Sequence, residues 1–104
     1  MLTVKETPLF KQSIDGILAE DDRLAFITWL VHNPFAGDVM TETGGLRKVR
    51  WARKGTGKSG GLRVIYYNVL ENGEIWLLIA YTKAKFDTLP KKVLRALLKE
   101  VIDG

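Results

Sequence analysis

The residues best suited to chemistry in this sequence are seven arginines and lysines that stand close together with no acid among them. Residues 43–70 contain all seven, whereas residues 1–42 carry seven acids and three basic residues. Concentrated positive charge repels itself, and a polyanion is its usual binding partner. The asymmetry therefore predicts a nucleic-acid phosphate backbone as the ligand, with a solvated basic loop as the alternative. The seven residues are Arg47, Lys48, Arg50, Arg53, Lys54, Lys58 and Arg63.

Three segments with a two-residue period are expected to form the strands that position these cations. They are rich in β-branched and aromatic residues, and the last two flank Asn72-Gly73, a strong signal for a hairpin turn. Strands joined by local hairpins pair antiparallel. The segments are residues 46–51, 62–70 and 74–82.

Alternation along the first strand sorts its side chains between two faces. Its apolar residues point to the core in this interpretation, so Lys48 and Arg50 share the opposite face. Arg63 lies beside them if it shares that face, and Tyr67 and Tyr81 offer aromatic rings nearby. Arginine binds phosphate through paired hydrogen bonds, and aromatic rings stack on bases. The pattern predicts a surface for phosphates and stacked bases.

Helical signals lie on both sides of these strands in the sequence. Thr7-Pro8 indicates an N-cap followed by proline in the first turn, and a second helix is expected to end at Asn33-Pro34. A third helix is expected after Thr88. Together with a short strand at residues 2–6, the predicted order is βααβββα. This is a single α+β domain over residues 1–104, with a small antiparallel sheet, two N-terminal helices and one C-terminal helix. The expected buried stripe of the third helix consists of Val93, Leu94, Leu97, Leu98, Val101 and Ile102.

The glycine-rich run GTGKSGG at residues 55–61 superficially suggests a nucleotide-binding loop. The phosphate-binding loop requires a glycine where this chain has Ala52, and a helix must follow it. Here Gly60-Gly61 leads into a strand instead. The run is therefore interpreted as a connection between strands, without a nucleotide cofactor, on which Lys54 and Lys58 are expected to contact a nucleic-acid backbone.

Composition excludes several other classes of site. The sequence has no cysteine and one histidine, His32, so neither a thiolate zinc site nor a histidine-built metal site is expected. The N-terminus lacks the features of a signal peptide, and no apolar run is long enough to span a bilayer. These observations predict a soluble cytoplasmic protein without a cofactor, a metal or a membrane partner.

Several of these residues together resemble the HigB branch of the RelE/ParE toxins, the toxins of type II toxin–antitoxin pairs. The resemblance extends over roughly residues 24–90, and the expected βααβββα order covers nearly the whole chain. As a joint pattern it is fairly specific, although no single piece of it is. The matching motifs are Asn33-Pro34, Gly37-Asp38, GGLRKVR at residues 44–50 and GKSGGLRVIYY at residues 57–67.

The resemblance implies a RelE-like fold and a toxin that enters the ribosomal A site and cuts mRNA there. It also implies restraint by an antitoxin, which is expected to be a helix-turn-helix protein of the HigA type. The catalytic cations that it implies are Lys48, Arg50, Arg63 and Lys83. Further contacts to RNA or the ribosome are expected from Arg47, Arg53, Lys54, Lys58, Tyr67, Tyr81 and Lys85.

The roles of the individual cations follow from the chemistry of RNA cleavage. The 2′-hydroxyl must lose a proton, the phosphorane charge must be stabilised, and the 5′-oxygen must gain a proton. Arg50 and Arg63 are expected to hold the phosphate, and Lys48 is the leading candidate for proton transfer, because neighbouring cations disfavour its charged form. Unlike some RelE-like enzymes, the chain has no tyrosine after Tyr81, and Lys85-Phe86-Asp87 stands where many HigB-type sequences have an acid. The general acid and base therefore stay unassigned.

Two functions of other classes fit the same sequence. A ParE-like toxin would poison DNA gyrase without nuclease activity, but such toxins do not need the cluster of Lys48, Arg50 and Arg63. A non-catalytic RNA- or ribosome-binding module would use the same cations for binding alone. Salt-dependent binding without cleavage would distinguish the module from the nuclease.

Overall fold

The computed structural model describes residues 2–51, 61–82 and 89–103. Predictions that involve Arg53, Lys54, Lys58, Lys83, Lys85 and Thr88 lie outside these residues. The helices and strands, in chain order, are β1 (Thr3–Glu6), α1 (Pro8–Asp15), α2 (Glu20–His32), β2 (Asp38–Val39), β3 (Arg47–Trp51), β4 (Leu62–Val69), β5 (Glu74–Thr82) and α3 (Lys91–Asp103).

The strands form one mixed sheet in the order β1-β5-β4-β3-β2, and with the three helices they confirm the predicted α+β class. Two details differ from the prediction. The first strand pairs with β5 in parallel, because it is followed by helices and no hairpin ties it to a sequence neighbour. Between the second helix and the strand that contains Lys48, where the predicted order has no element, the chain contributes the two-residue strand β2 at the opposite edge. A two-residue strand is too short to show alternation.

The turn between β4 and β5 confirms the predicted hairpin. It consists of a short 3-10 turn, Leu70–Asn72, followed by Gly73 with φ of 69°. Glycine adopts this left-handed conformation without the steric cost that other residues bear. The hairpin carries an irregularity further along, because Ile65 pairs with Ile79 while Tyr66 pairs with Leu77, which leaves Leu78 as an extra residue.

Helix α1 is attached to this irregular part of β5 through its own polar side chains. The Thr7 hydroxyl accepts a hydrogen bond from the Phe10 N–H at 3.0 Å, as predicted for an N-cap, and it donates to the Leu78 carbonyl at 2.9 Å. The Ser13 hydroxyl accepts from the Ala80 N–H at 3.0 Å. Thr7 and Ser13 therefore satisfy backbone groups of β5 beside the extra residue.

The two faces of the sheet carry separate cores. Helices α1 and α2 cover one face with a cluster that includes Phe10, Phe26 and Tyr66. Helix α3 covers the other face by placing Leu94 and Leu98 against a cluster on the sheet. Among the described residues, no helix combines the length and the apolar character that crossing a membrane requires.

The predicted buried stripe of α3 is partly wrong. Leu94 and Leu98 are buried, and Leu97 and Val101 pack partly against the same core, but Val93 and Ile102 are 45% and 61% exposed. Successive residues of a helix are separated by about 100° around its axis, so residues next to a buried position readily lie on its flank. Sequence spacing alone therefore made the stripe too wide.

Candidate nucleic-acid interface

The structure places three of the predicted cations on one face of the sheet. Arg50 of β3 is paired with Arg63 of β4, which is paired with Tyr81 of β5. Residues that pair across strands point to the same face, so these three form one row. Lys48 lies two residues before Arg50 and occupies the next row, opposite Ile65. This is also the face that α3 covers, because Ile65 and Tyr81 belong to its core.

The cations differ in their exposure to solvent. Arg50 is exposed, Lys48 is half-buried, and Arg63 is buried with 6% of its surface accessible. The Arg63 guanidinium donates from Nη1 to the Gly61 carbonyl at 3.0 Å. Within the residues that the structure describes, no carboxylate lies within ion-pair distance of any of the three. A buried cation without a counter-ion is costly, and an anionic ligand offsets that cost.

Packing on the other face fixes β3 and therefore the direction of these cations. Val49 is buried against the core of α1 and α2, and the Trp51 ring contacts the Phe26 ring edge-on at a centroid distance of 5.5 Å. Because side chains alternate, anchoring Val49 and Trp51 directs Lys48 and Arg50 to the opposite side. The sheet thus uses two apolar residues to orient two cations.

Arg47 does not join this group. Its position in β3 turns it to the face of α1 and α2, where Nη1 donates to the Gly37 carbonyl at 2.7 Å. Its guanidinium also lies 5.1 Å from the centroid of the Phe35 ring. These contacts hold the connection between α2 and β2, so Arg47 is left out of the site proposed below.

The two predicted stacking tyrosines lie on the face of the cations. Tyr67 is half-buried and its ring lies against Gly45, where an added Cβ would be 3.3 Å from Cε1. Tyr81 is 3% exposed and belongs to the core under α3. Little of its ring is therefore available to stack on a base, whereas Tyr67 offers part of its surface.

Tyr66 is a residue whose importance the sequence did not indicate. Its hydroxyl accepts from the Gly37 N–H and donates to the Pro34 carbonyl, both at 2.9 Å. Burial raises the pKa of the Tyr66 hydroxyl, and the hydrogen bond from Gly37 acts in the opposite direction. Gly37 is tightly enclosed, since an added Cβ would lie 2.9 Å from the Tyr66 ring and 3.0 Å from the Lys48 carbonyl. This close approach positions β2 beside Lys48.

Helix α3 is joined to the loop before β3 by polar contacts at its N-terminal half. Lys91 Nζ lies 2.7 Å from a Glu42 carboxylate oxygen, and Arg95 donates to the Glu42 carbonyl at 3.0 Å. The hydrogen bond and charge of Lys91 lower the pKa of the Glu42 carboxyl. Within the described ranges, no group of three or more His, Asp or Glu side chains is placed to hold a metal ion.

A cavity of about 550 Å³ opens at the sheet edge beside Lys48 and Arg50. Strand β2 begins only at Asp38, opposite Lys48, so the part of β3 after Lys48 has no partner strand at this edge. The cavity occupies that space, and its walls are Trp29, Ala36, Asp38, Lys48, Val49 and Arg50. Neither Trp29 nor Asp38 was predicted as a site residue. Trp29 lies within a helix and Asp38 in a two-residue strand, and neither position gives a sequence signal for a binding site.

Comparison with known proteins identifies the fold. The sequence matches no protein-family model. Among solved structures, the chain is similar to that of a double-arginine mutant of E. coli toxin RelE in the free state, with a TM-score of 0.54 and 12% sequence identity. The similarity covers 98% of this chain and 95% of that chain. The chain therefore has the RelE fold.

Proposed function

We propose that this protein is the toxin of a type II toxin–antitoxin pair, of the HigB branch of the RelE/ParE toxins, and that it cuts mRNA on the ribosome. One observation carries the proposal. Lys48, Arg50 and Arg63 lie on one face of the sheet, and no described carboxylate neutralises them. An RNA phosphate that is flanked by bases and held among such cations is suited to attack by the 2′-hydroxyl of the preceding ribose. The RelE fold and the sequence resemblance support the same activity.

The burial of each cation suggests its role in the reaction. Arg63 is held by the Gly61 carbonyl and loses little freedom when it binds a phosphate oxygen, so it is suited to stabilising the charge of the phosphorane. Arg50 is exposed and meets the incoming backbone. Lys48 accepts the 2′-hydroxyl proton in this scheme, and the 2′-oxygen attacks phosphorus to give a 2′,3′-cyclic phosphate. The departing 5′-oxygen takes up a proton from a cationic group of the site, for which Lys83 is a candidate, and no metal is required.

Induction of the protein in growing cells tests this function. Primer extension on an abundant mRNA is expected to show new 5′ ends within translated codons, together with an early halt of translation and intact DNA synthesis. The Lys48→Ala variant should produce at least about a hundredfold fewer ends, because general acid–base groups contribute that much or more. Lys99→Ala, an exposed lysine of α3, is the matched control and should behave as wild type.

Other outcomes of the same induction contradict the proposal. Early DNA damage without new mRNA ends would indicate a gyrase poison of the ParE type. Ribosome binding that weakens with salt, but leaves mRNA intact, would indicate a non-catalytic module.

The proposed partner is an antitoxin that covers the cationic face. A basic surface that binds mRNA is inactivated when acidic side chains or a bulky element occupy it. We propose a helix-turn-helix protein of the HigA type for this role. Its presence is tested by co-expressing the product of the adjacent reading frame, which should co-purify with this chain and restore growth. Failure of every neighbouring product to do so would contradict the antitoxin assignment.

A further inference from the structure

The cavity beside Lys48 and Arg50 combines features that suit an unpaired RNA base. It lies where the sheet edge is open, so it is reached from the cationic face and extends toward α2. Single-stranded RNA is recognised by stacking its bases on aromatic rings and by hydrogen bonds to their Watson–Crick edges. The cavity offers a Trp29 side chain and an Asp38 carboxylate for these two tasks.

Asp38 is placed to contact a ligand and is not occupied elsewhere. Its Cα is paired with Lys48 across the β2–β3 ladder, so both side chains point to the same face. The side chain is exposed, and within the described residues its carboxylate makes no hydrogen bond or ion pair. A carboxylate repels phosphate but accepts hydrogen bonds from base N–H groups. Asp38 therefore suits a base more than the backbone that the cations hold.

Trp29 is held in place by its own packing. It lies on α2, is partly buried against the core of Phe26 and Val49, and its ring centroid is 6.3 Å from that of Phe26. An aromatic ring that is fixed before binding loses little freedom when a base packs against it. The volume of about 550 Å³ is sufficient for one purine base with its ribose.

We infer that this cavity binds a guanine base of the mRNA next to the phosphate held by Lys48 and Arg50, with Asp38 as the residue that selects guanine. A carboxylate with two acceptor oxygens matches the adjacent N1–H and N2–H donors of guanine. The Watson–Crick edges of adenine and uracil each present a single N–H donor group, and cytosine presents only its amino group. This inference rests on the proposed function for its biological setting. Binding of guanine to the free protein, however, is measurable without any cleavage.

The first test is titration of the free protein with guanosine 5′-monophosphate and, separately, with adenosine 5′-monophosphate. The indole N–H signal of Trp29, assigned by its loss in Trp29→Phe, is followed by NMR. The guanine nucleotide should shift this signal and bind at least about fivefold more tightly than the adenine nucleotide. Asp38→Asn should abolish the difference, because an amide presents a donor where the carboxylate has an acceptor. Asp103→Asn, an exposed carboxylate in the last turn of α3, is the control.

Equal binding of the two nucleotides, no response of the Trp29 signal, or an unchanged preference in Asp38→Asn would each overturn the inference. A second experiment distinguishes failure of the guanine inference from failure of the proposed nuclease function. Wild-type protein is assayed on ribosomes programmed with codons that differ only in guanine or adenine; it should prefer the guanine codons by tenfold or more, and Asp38→Asn should lose this preference. Cleavage without a guanine preference would refute the cavity assignment and leave the nuclease intact. Absence of cleavage would refute the nuclease, and the nucleotide titration would still show whether the cavity prefers guanine.

Discussion

Single residues outside the cationic group carry much of the geometry at this site. The Tyr66 hydroxyl joins Pro34 and Gly37, and Arg47 joins Gly37 from the same side, so the chain before β2 is held at the edge of the sheet. The sequence predicted that Lys48 and Arg50 share a face, because alternation in a strand is a local property. It did not predict the burial of Arg63 or the hydrogen bonds of Tyr66, because both depend on residues distant in the chain.

Replacing Tyr66 by phenylalanine tests this connection. The change keeps the ring and removes a hydroxyl that both donates and accepts, leaving the Gly37 N–H and the Pro34 carbonyl with one partner fewer. We expect the free energy of unfolding to fall by about 1–3 kcal/mol in urea denaturation at neutral pH. An unchanged free energy would show that these bonds do not hold the segment.

The same substitution should change the response to alkaline pH. Because burial raises the pKa of Tyr66 in the folded state, its contribution to stability is fully present below the usual value of about 10. It is lost as pH rises through the raised pKa. The wild type should therefore lose stability above about pH 10 more steeply than Tyr66→Phe. Parallel curves for the two proteins would contradict this account of Tyr66.

Glu42 has the opposite dependence on pH. Lys91 lowers its pKa, so the contribution of the carboxylate is present above its usual pKa and is lost as pH falls through the lowered value. The denaturation midpoint of Glu42→Gln should lie below that of wild type at neutral pH and converge with it in acid. Because the carboxylate is exposed, the difference should be small and should shrink with added salt. A difference that persists at acidic pH would require another cause.

At the scale of elements, the fold was predictable wherever a local signal was strong. The Thr7 cap, the hairpin at Gly73 and the strand β4 all appear as expected. The parallel pairing of β1 was not predictable, because nothing local specifies which edge a terminal strand joins. The flanks of α3 were assigned to the core because its helical spacing does not show how wide the contact with the sheet is.

Two apolar residues of α3, Leu98 and Ile102, allow the width of this contact to be tested. Leu98 is 6% exposed and lies under Gly44, whereas Ile102, one turn later, is 61% exposed. Leu98→Ala should lower the free energy of unfolding by about 2–5 kcal/mol, since it leaves a cavity in a buried cluster. Ile102→Ala should change it by less than about 0.5 kcal/mol. Similar losses for both would show that α3 packs in a different rotation.

At the scale of the whole molecule, one sheet serves two purposes. One face is closed by α1 and α2 and holds β3 in position, while the other is only partly covered by α3 and presents the cations. Acidic residues are concentrated in the first 42 residues, which include α1 and α2, and no acid occurs in residues 43–70. The division places positive charge on the strands and keeps the overall net charge at only +4. Binding of a polyanion to such a face is expected to weaken steeply with salt.

The central claim is that Lys48, Arg50 and Arg63 act on one phosphate. Its most direct test is the single-turnover rate at which purified protein cuts mRNA on programmed ribosomes. Wild type and Lys99→Ala should cut at the same rate, Arg50→Ala should be slower by at least about tenfold, and Lys48→Ala with Arg63→Ala should show no measurable cleavage. Circular dichroism of each variant verifies that it is folded. Cleavage by the folded double variant at a rate near that of wild type would contradict the claim.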